Sequence, residues 1–477
     1  MSLLPETQSI PWRHPRQACP SPHEDIRPIP HFQMAGWNSR ASHQPRADAV
    51  GLPVSRATHF IAGHKRWIVV VMLAGFGVFN YLDRQALSVL AATLKSELGI
   101  STVQYSYVVS TFLAAYAIGY AVTGRWIDRV GVKVGLGLAL VCWSFAGMWH
   151  AAVIGWMTLA CARFALGICQ SANSPGGMKA LAEWIPPRER GLSSAIFSNS
   201  NSLGSVLAPP IVAGLALWLG WRMAFLIVGA AGFGLAAVWW WFYDAPERNK
   251  RISEDERAHI LANRSSSATT KADVPASYLE ILKDRFCLGL CITRFFTDPF
   301  SYFLSFWLID YLQTVRGFSL ETVALLAWIP YLASPLFGGP LGGAAGDWMV
   351  RRGVKPARAR LRMMLTAACI TPLVLVAART DQTWLTIALV TLAYAANSCW
   401  NVNKLTLATE VVPRSQVASL VSLGGLAGSV GGVLSTLTAG KLIATVGYVP
   451  VFTGVGILHL LAFGILSFMR RGTAAAT

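Results

Sequence analysis

Two stretches decide how this chain folds: Gly124-Arg125-Trp126-Ile127-Asp128-Arg129-Val130-Gly131-Val132-Lys133, and a weaker copy, Gly343-Ala344-Ala345-Gly346-Asp347, followed by Arg351. Each sets Gly-x-x-x-Asp and a basic residue at the end of the second apolar run of its half. Asp83 and Asp298 stand at matching places ahead of them, and Pro187-Arg188 and Pro413-Arg414 at matching places behind, with offsets that agree to within a loop's length. The sequence therefore predicts two parallel copies of one unit, as in alternating-access transporters whose site lies between the halves.

Hydropathy gives the unit. Apolar segments of about 20 residues, enough to cross roughly 30 Å of hydrocarbon as helices, recur from Lys65 onward. Their approximate spans are 67 to 93, 104 to 125, 133 to 152, 155 to 182, 191 to 217 and 222 to 243. They resume at 285 to 312, 320 to 346, 361 to 379, 383 to 409, 414 to 440 and 447 to 469. The expected fold class is an all-α integral membrane protein with twelve transmembrane helices in two six-helix pseudo-symmetric bundles, 65–243 and 285–470. Residues 244–284, with the densest charge (Glu247, Arg248, Lys250, Arg251, Glu254, Asp255, Glu256, Arg257) and a Ser/Thr run from Ser265, read as a partly helical cytoplasmic linker. Residues 1–64, rich in Pro, His and Arg, read as a disordered cytoplasmic tail or as a start placed too early, since Met34 could also begin the chain; 471–477 read as a short cytoplasmic tail.

Composition agrees with the membrane reading and excludes others. Of 477 residues, 54% are hydrophobic and 13% charged, against roughly 25% charged in an ordinary globular protein. The 40 basic and 23 acidic residues give +17, but they fall in short clusters between apolar runs and form no stripe for nucleic acid, so the bilayer is the expected partner. The loops rich in Lys and Arg alternate with loops poor in them, which predicts a multi-pass plasma (inner) membrane protein with both termini cytoplasmic. Cys142, Cys161, Cys169, Cys287, Cys291, Cys369 and Cys399 lie inside apolar runs without a CxxC pair, so neither a disulfide framework nor a metal site is expected. His150 and His459, the histidines in or beside the spans, have no nucleophile or ligand partner at helical spacing, which argues against an enzyme. No cofactor is expected, and the chain is expected to act as a monomer.

Ionisable groups inside membrane helices are costly, about 2.5 to 3.5 kcal/mol each at the centre, and mark function. In the first helix Tyr81, Arg84 and Ser88 make one polar stripe. The fourth carries Arg163 and Gln170 on one face; the fifth Ser194, Ser198, Asn201 and Ser205; the seventh Arg294, Asp298, Ser301 and Ser305; the tenth Tyr394, Asn397, Asn401 and Lys404. Arg84, Arg163, Arg294 and Lys404 outnumber Asp83 and Asp298, so the pocket favours an anion. Arginine can grip a carboxylate with two hydrogen bonds, and Asn, Ser and Tyr suit hydroxyls. Lys404 and Asn401 either join this pocket or stand near a helix end where lysine snorkels; Arg294 reads as an anchor or gate. The glycines Gly424, Gly425, Gly428, Gly431 and Gly432 read as a close-packing face, and Trp239, Trp240, Trp241 and Tyr243 as an interface belt. Trp307, Trp328 and Tyr331 are candidates for the cavity wall.

The stretch from Gly124 to Lys133, with its copy and the twelve spans, resembles the major facilitator superfamily. Asn80-Tyr81-Leu82-Asp83-Arg84, and Glu183-Trp184-Ile185-Pro186-Pro187-Arg188-Glu189-Arg190, resemble its anion:cation symporter family. Gln104-Tyr105-Ser106-Tyr107 and Gly177-Met178-Lys179-Ala180 resemble the hexuronate transporter branch, over about residues 65 to 470. The resemblance implies a proton-driven importer of small anionic carboxylates such as hexuronates. It places Tyr81, Asp83, Arg84, Tyr116, Arg163 and Asn201 where relatives contact substrate or couple protons. The Gly-x-x-x-Asp spacing lets the second and third helices turn tightly and presents Asp128 to a neighbouring helix N-terminus, so Gly124, Asp128, Arg129, Lys133 and Asp347 read as a conformational latch.

One departure stands out. Many members carry a proton-accepting Glu where this chain has Gln170, so coupling by H+ would fall to Asp83 or Asp298. The alternative is an organic-anion facilitator or exchanger without coupling. A drug exporter is disfavoured by the basic, amide-rich cavity, and a non-transporting sensor by the short linker.

Overall fold

In a hydrocarbon layer each backbone N–H and C=O must find a partner inside the segment, so apolar runs of this length have only the helix open to them. The computed structural model describes residues 65–186, 189–265, 278–412 and 414–470, which fall in one unit. The expected tails, 1–64 and 471–477, and the motif residues Pro187, Arg188 and Pro413, lie outside the described residues.

Among the described residues, ten helices are long and apolar enough to cross a membrane: Arg66–Val89, Thr102–Val130, Val132–Ala152, Leu192–Leu219, Trp221–Phe242, Leu320–Arg351, Pro356–Arg379, Thr383–Ala408, Leu420–Val446 and Tyr448–Arg470. The two that complete the twelve fall outside that set. The fourth is interrupted at Ser171-Ala172 into Trp156–Gln170 and Asn173–Trp184, and the seventh, Arg285–Thr314, carries Arg294, Asp298 and Asp310. Boundaries follow from local chemistry. Ser101 and Gln104 form a reciprocal capping box at the second crossing, Asp284 accepts from Cys287 N–H at the seventh, and Gly131 (φ 82°) ends the second crossing in a conformation that favours glycine.

The halves repeat one packing scheme, visible where glycines let backbones approach. The first crossing lies on the fifth (Gly77 against Ser200, Gly204 against the Val78 carbonyl), the second on the fourth (Gly167 against the Phe112 carbonyl), and the third on the sixth (Gly229 against Met148). In the second half the seventh lies on the eleventh (Gly428 against Asp298, Gly431 against the Phe295 carbonyl), the eighth on the tenth (Gly342 against Cys399), and the ninth on the twelfth (Gly456 against Leu375). None of these glycines has room for a Cβ without a shift of its neighbour, as expected of membrane helices packed through small residues.

The linker is no loose tether. Its helix, Glu254–Ser265, brings the buried Glu256 carboxylate to the backbone N–H groups of Lys65 and Arg66 at 3.1 and 2.9 Å, so it caps the first crossing from outside. The Arg66 guanidinium bridges Glu189 (2.8 Å) and Glu256 (3.4 Å). Of the expected interface aromatics, Trp239 and Tyr243 instead belong to the core: they are 0% and 1% exposed, with rings stacked at 4.0 Å, while Trp241 is 68% exposed. Trp239 faces Phe76 of the first crossing, which the run of tryptophans alone could not reveal.

The halves meet at the end away from Asp128 and Asp347. There Lys95 donates to Asp310 at 2.6 Å, the Tyr105 hydroxyl donates to the Phe306 carbonyl at 3.1 Å, and Gly440 closes on Ser106. Tyr448 also donates to Asp310, whose side chain has no exposure. The second crossing packs on the eleventh and the fifth on the start of the eighth. At the opposite end the ion pairs Asp128–Lys179, Lys133–Asp244 and Asp347–Arg360 each stay within one half or its linker junction.

Removing one partner of a buried pair leaves a bare charge, at a cost of about 3 to 5 kcal/mol. Lys95→Met is therefore expected to lower stability by that order, read as unfolding in detergent, and Lys95→Met combined with Asp310→Leu is expected to recover most of it. Equal stability of Lys95→Met and wild type would show that the pair does not carry this contact.

Candidate substrate site

The first crossing puts Tyr81 and Arg84 on one face, one turn apart, and the second brings Phe112 and Tyr116 opposite them. The Arg84 guanidinium carbon lies 4.7 Å from the Tyr81 ring centre, 5.0 Å from that of Phe112 and 4.7 Å from that of Tyr116. The Tyr116 hydroxyl approaches that of Tyr120 at 3.4 Å, and Tyr120 and Tyr302 of the seventh crossing stand near enough to act on Arg84 electrostatically. Aromatic faces attract a desolvated cation, by roughly 2 kcal/mol. They do not consume its hydrogen bonds. Arg84 Nε and Nη2 have no partner among the described residues.

Arg163, in the fourth crossing, has no exposed surface. Its Nη2 donates to the Arg84 carbonyl at 3.3 Å, its carbon lies 5.5 Å from the Phe112 ring centre, and its Nε and Nη1 have no partner. Gln170, seven residues on, is equally buried with both ends of its amide unpaired, and its carbonyl accepts from Asn80 at 3.4 Å. Asn201 is half-buried in the fifth crossing with its side-chain oxygen unpaired, close to Gly77. The N-terminal candidates Tyr81, Arg84, Tyr116 and Arg163 thus come together around one ring, with Gln170 and Asn201 in the same bundle.

Asp83 is adjacent to Arg84 in sequence, and its charge acts on Arg163. It is buried, and its Oδ1 faces Gly147 of the third crossing, where an added Cβ would stand 3.7 Å away. Asp298, its counterpart in the repeat, has a different fate: it is held by Lys404 at 3.0 Å and by Arg294 at 3.1 Å, against Gly428. Arg294 also donates to the Val421 carbonyl at 3.1 Å. Lys404, 9% exposed in its side chain, is an ion-pair partner in the bundle and does not snorkel to the interface. Asn397 donates to the Ser301 hydroxyl at 3.0 Å and Asn401 to Asn397 at 3.5 Å, giving the second half a neutral polar face.

The latch candidates lie far from this cluster. Asp128, largely exposed, pairs with Lys179 of the fourth crossing at 2.7 Å and not with a helix N-terminus; Arg129 is exposed, Gly124 has open space around it, and Lys133 pairs with Asp244. Asp347 pairs with Arg360 at 2.6 Å, which also holds Glu410. Trp307 and Tyr331 are buried, with Trp307 edge-on to Tyr105 at the closed end and Tyr331 donating to the Leu304 carbonyl, while Trp328 donates to the Leu325 carbonyl. Phe112 and Gln85, the latter buried with both amide ends unpaired, were not singled out by sequence reasoning. An apolar residue one turn from Tyr116 carries no signal that separates it from core.

Two buried cationic forks with free N–H groups have the donors to hold an anion. Comparison with known proteins gives the family. Residues 73–436 match the Major Facilitator Superfamily model. The chain is 31% identical over 402 residues to the "Hexuronate transporter" of Escherichia coli (strain K12), covering 83% of this chain and 92% of that protein. It is 34% identical to the "Galacturonate transporter" of Dickeya chrysanthemi, over 58% of this chain and 80% of that one. Among solved structures, a bacterial homolog of the human lysosomal transporter Spinster, in an inward-facing and occupied conformation, has the same fold. Its TM-score is 0.65 at 18% identity, over 86% of this chain and 98% of that one. The chain is a multi-pass membrane transporter, and it belongs to the major facilitator superfamily, in the branch that contains the hexuronate transporters.

Proposed function

We propose that the chain imports small organic anions, hexuronates or related sugar acids, by alternating access and proton symport across the inner membrane. The observation that carries the substrate class is the pair Arg84 and Arg163, buried, with free N–H groups and no carboxylate in hydrogen-bonding contact among the described residues; the charge of Asp83 acts on Arg163 without occupying those groups. A bare cation at this depth is costly unless something anionic arrives to meet it. The transporters of similar sequence are named for hexuronate and galacturonate, and a further one, 29% identical over 69% of the chain, is the "Probable galactarate/D-glucarate transporter" of Bacillus subtilis (strain 168). All of these are polyhydroxylated carboxylates. The amide and hydroxyl face of Asn397, Asn401 and Ser301 suits the hydroxyls.

Alternating access is supported by the repeat and by the asymmetry of the contact between halves. Lys95–Asp310, Tyr105 and Gly440 shut one end, while the described ion pairs at the other end do not bridge the halves. The Lys- and Arg-rich loops mark that other end as cytoplasmic, so the cavity opens inward. Proton coupling falls to Asp83, since Gln170 cannot titrate and Asp298 is engaged by two cations. The same two facts favour the second reading, a facilitator or exchanger without coupling.

In proteoliposomes, an inward proton gradient is expected to drive accumulation of labelled D-glucuronate or D-galacturonate above equilibrium. Equilibration without accumulation would select the uncoupled reading. Arg84→Met and Arg163→Met are each expected to weaken apparent affinity by about tenfold or more, the scale of a lost charge-assisted hydrogen bond; wild-type affinity in both would remove them from the site. Asp83→Asn is expected to abolish accumulation while leaving counterflow exchange, and accumulation that survives it would transfer coupling to another group.

A further inference from the structure

Arg84 and Arg163 carry like charges, are both buried, and lie against one and the same ring. Phe112 stands 5.0 Å from the first guanidinium carbon and 5.5 Å from the second. Arg84 has two other rings, Tyr81 and Tyr116. For Arg163 the described cation–π contact is Phe112 alone, and the described hydrogen bond is the Arg84 carbonyl alone. We propose that Phe112 is a positioning residue for anion binding, whose ring face holds the two guanidinium groups side by side while leaving their N–H groups free. This deepens the reading of the two arginines as carboxylate ligands, and rests on it.

The ring is itself fixed. Phe112 is 1% exposed. On one side it meets Gly167 of the fourth crossing, where an added Cβ would lie 2.7 Å from the Phe112 carbonyl oxygen and 3.3 Å from the ring. Gly167 sits one turn after Arg163 on the same helix, so the glycine that admits the ring also sets the arginine beside it. On the other side the ring meets Phe306 of the seventh crossing edge-on, at 6.3 Å and 66°. Phe306 is the residue whose carbonyl accepts from Tyr105 at the closed end. The platform under the arginines is thus gripped by both halves.

A cation–π contact serves this task because it stabilises a desolvated guanidinium through its face. A carboxylate in the same place would neutralise the fork and compete with the substrate. An apolar side chain of equal size would fill the space but take from Arg163 its one described ring contact and from Arg84 one of three. The ring's charge distribution, beyond its bulk, is what the inference assigns to the site.

Fluorination separates the two, since it withdraws the negative ring face while nearly keeping the shape. Phe112 is replaced by mono-, di- and trifluorophenylalanine in the full chain, and binding of labelled D-glucuronate is measured. The dissociation constant is expected to rise stepwise, to about tenfold for the trifluoro ring. Phe112→Leu is expected to lose at least as much, Phe112→Trp to retain near-wild-type affinity, and maximal transport rate to change less than affinity. Affinity flat across the fluorinated series would overturn the proposal and leave Phe112 a packing residue. A second measurement needs no ligand: fluorination is expected to lower the melting temperature of wild type and not that of Arg84→Met/Arg163→Met, and equal shifts in both would overturn it. If wild type binds no D-glucuronate, the sugar-acid reading fails, and the melting comparison alone decides on Phe112.

Discussion

A charge held inside the bilayer must be matched, and the arrangement of this protein follows from how each buried charge is matched. Asp298 is flanked by Lys404 and Arg294, Asp310 by Lys95 and Tyr448, and Arg360 by Asp347 and Glu410. Arg84 and Arg163 break the rule. They have aromatic faces and a carbonyl but no carboxylate in hydrogen-bonding contact among the described residues, Asp83 acting on Arg163 without bonding it; on the proposed function the substrate supplies that contact. Everything else in the N-terminal bundle holds that pair in place: the Gly167 notch, the Phe112 ring, and the tight contact of the first and fifth crossings at Gly77 and Gly204.

The two halves show how a duplicated unit divides labour. Both use the same helix pairings, and both carry an acid on the corresponding helix. Asp298 is sealed into an ion-pair triad, which makes the second half electrostatically settled and leaves Asn397, Asn401 and Ser301 to offer neutral hydrogen bonds. Asp83 turns toward Gly147, away from the cluster on its own helix, into a small-residue gap in the third crossing. On the proposed function, an acid that acts on Arg163 without bonding its free N–H groups is the one that couples the proton. The linker helix, through Glu256, clamps the entry of the first crossing, so the helix that carries Tyr81, Asp83 and Arg84 is anchored at its base.

Much of this was legible in the sequence, because hydropathy, polar stripes and repeated Gly-x-x-x-Asp each report a constraint that acts locally along a helix. The twelve spans and the repeat needed only hydropathy and spacing, whereas the grouping of Tyr81, Arg84, Tyr116 and Arg163 from three helices came from the family resemblance. Partner choice was not legible. Nothing in the spacing of Lys404 says that it reaches Asp298 across two helices, and nothing in Asp310 or Lys95 says that they meet from opposite halves. Trp239 looked like its exposed neighbour Trp241 because the stretch from Trp239 to Trp241 places like residues on different faces. Phe112 was invisible for the same reason: its role comes from what lies over its ring and not from its own chemistry.

The central claim is that this membrane cavity is built to receive a carboxylate at two otherwise unmatched arginines. The most direct measurement is the thermal stability of the purified protein with sugar acids and with their neutral counterparts, since a ligand that binds the folded state raises its melting temperature in proportion to its affinity. D-glucuronate or D-galacturonate is predicted to raise it in a concentration-dependent way, with no shift from D-glucose or D-galactose and none from either acid in Arg84→Met/Arg163→Met. A neutral sugar that stabilises as well as its acid, or an acid whose effect survives loss of both arginines, would contradict the account.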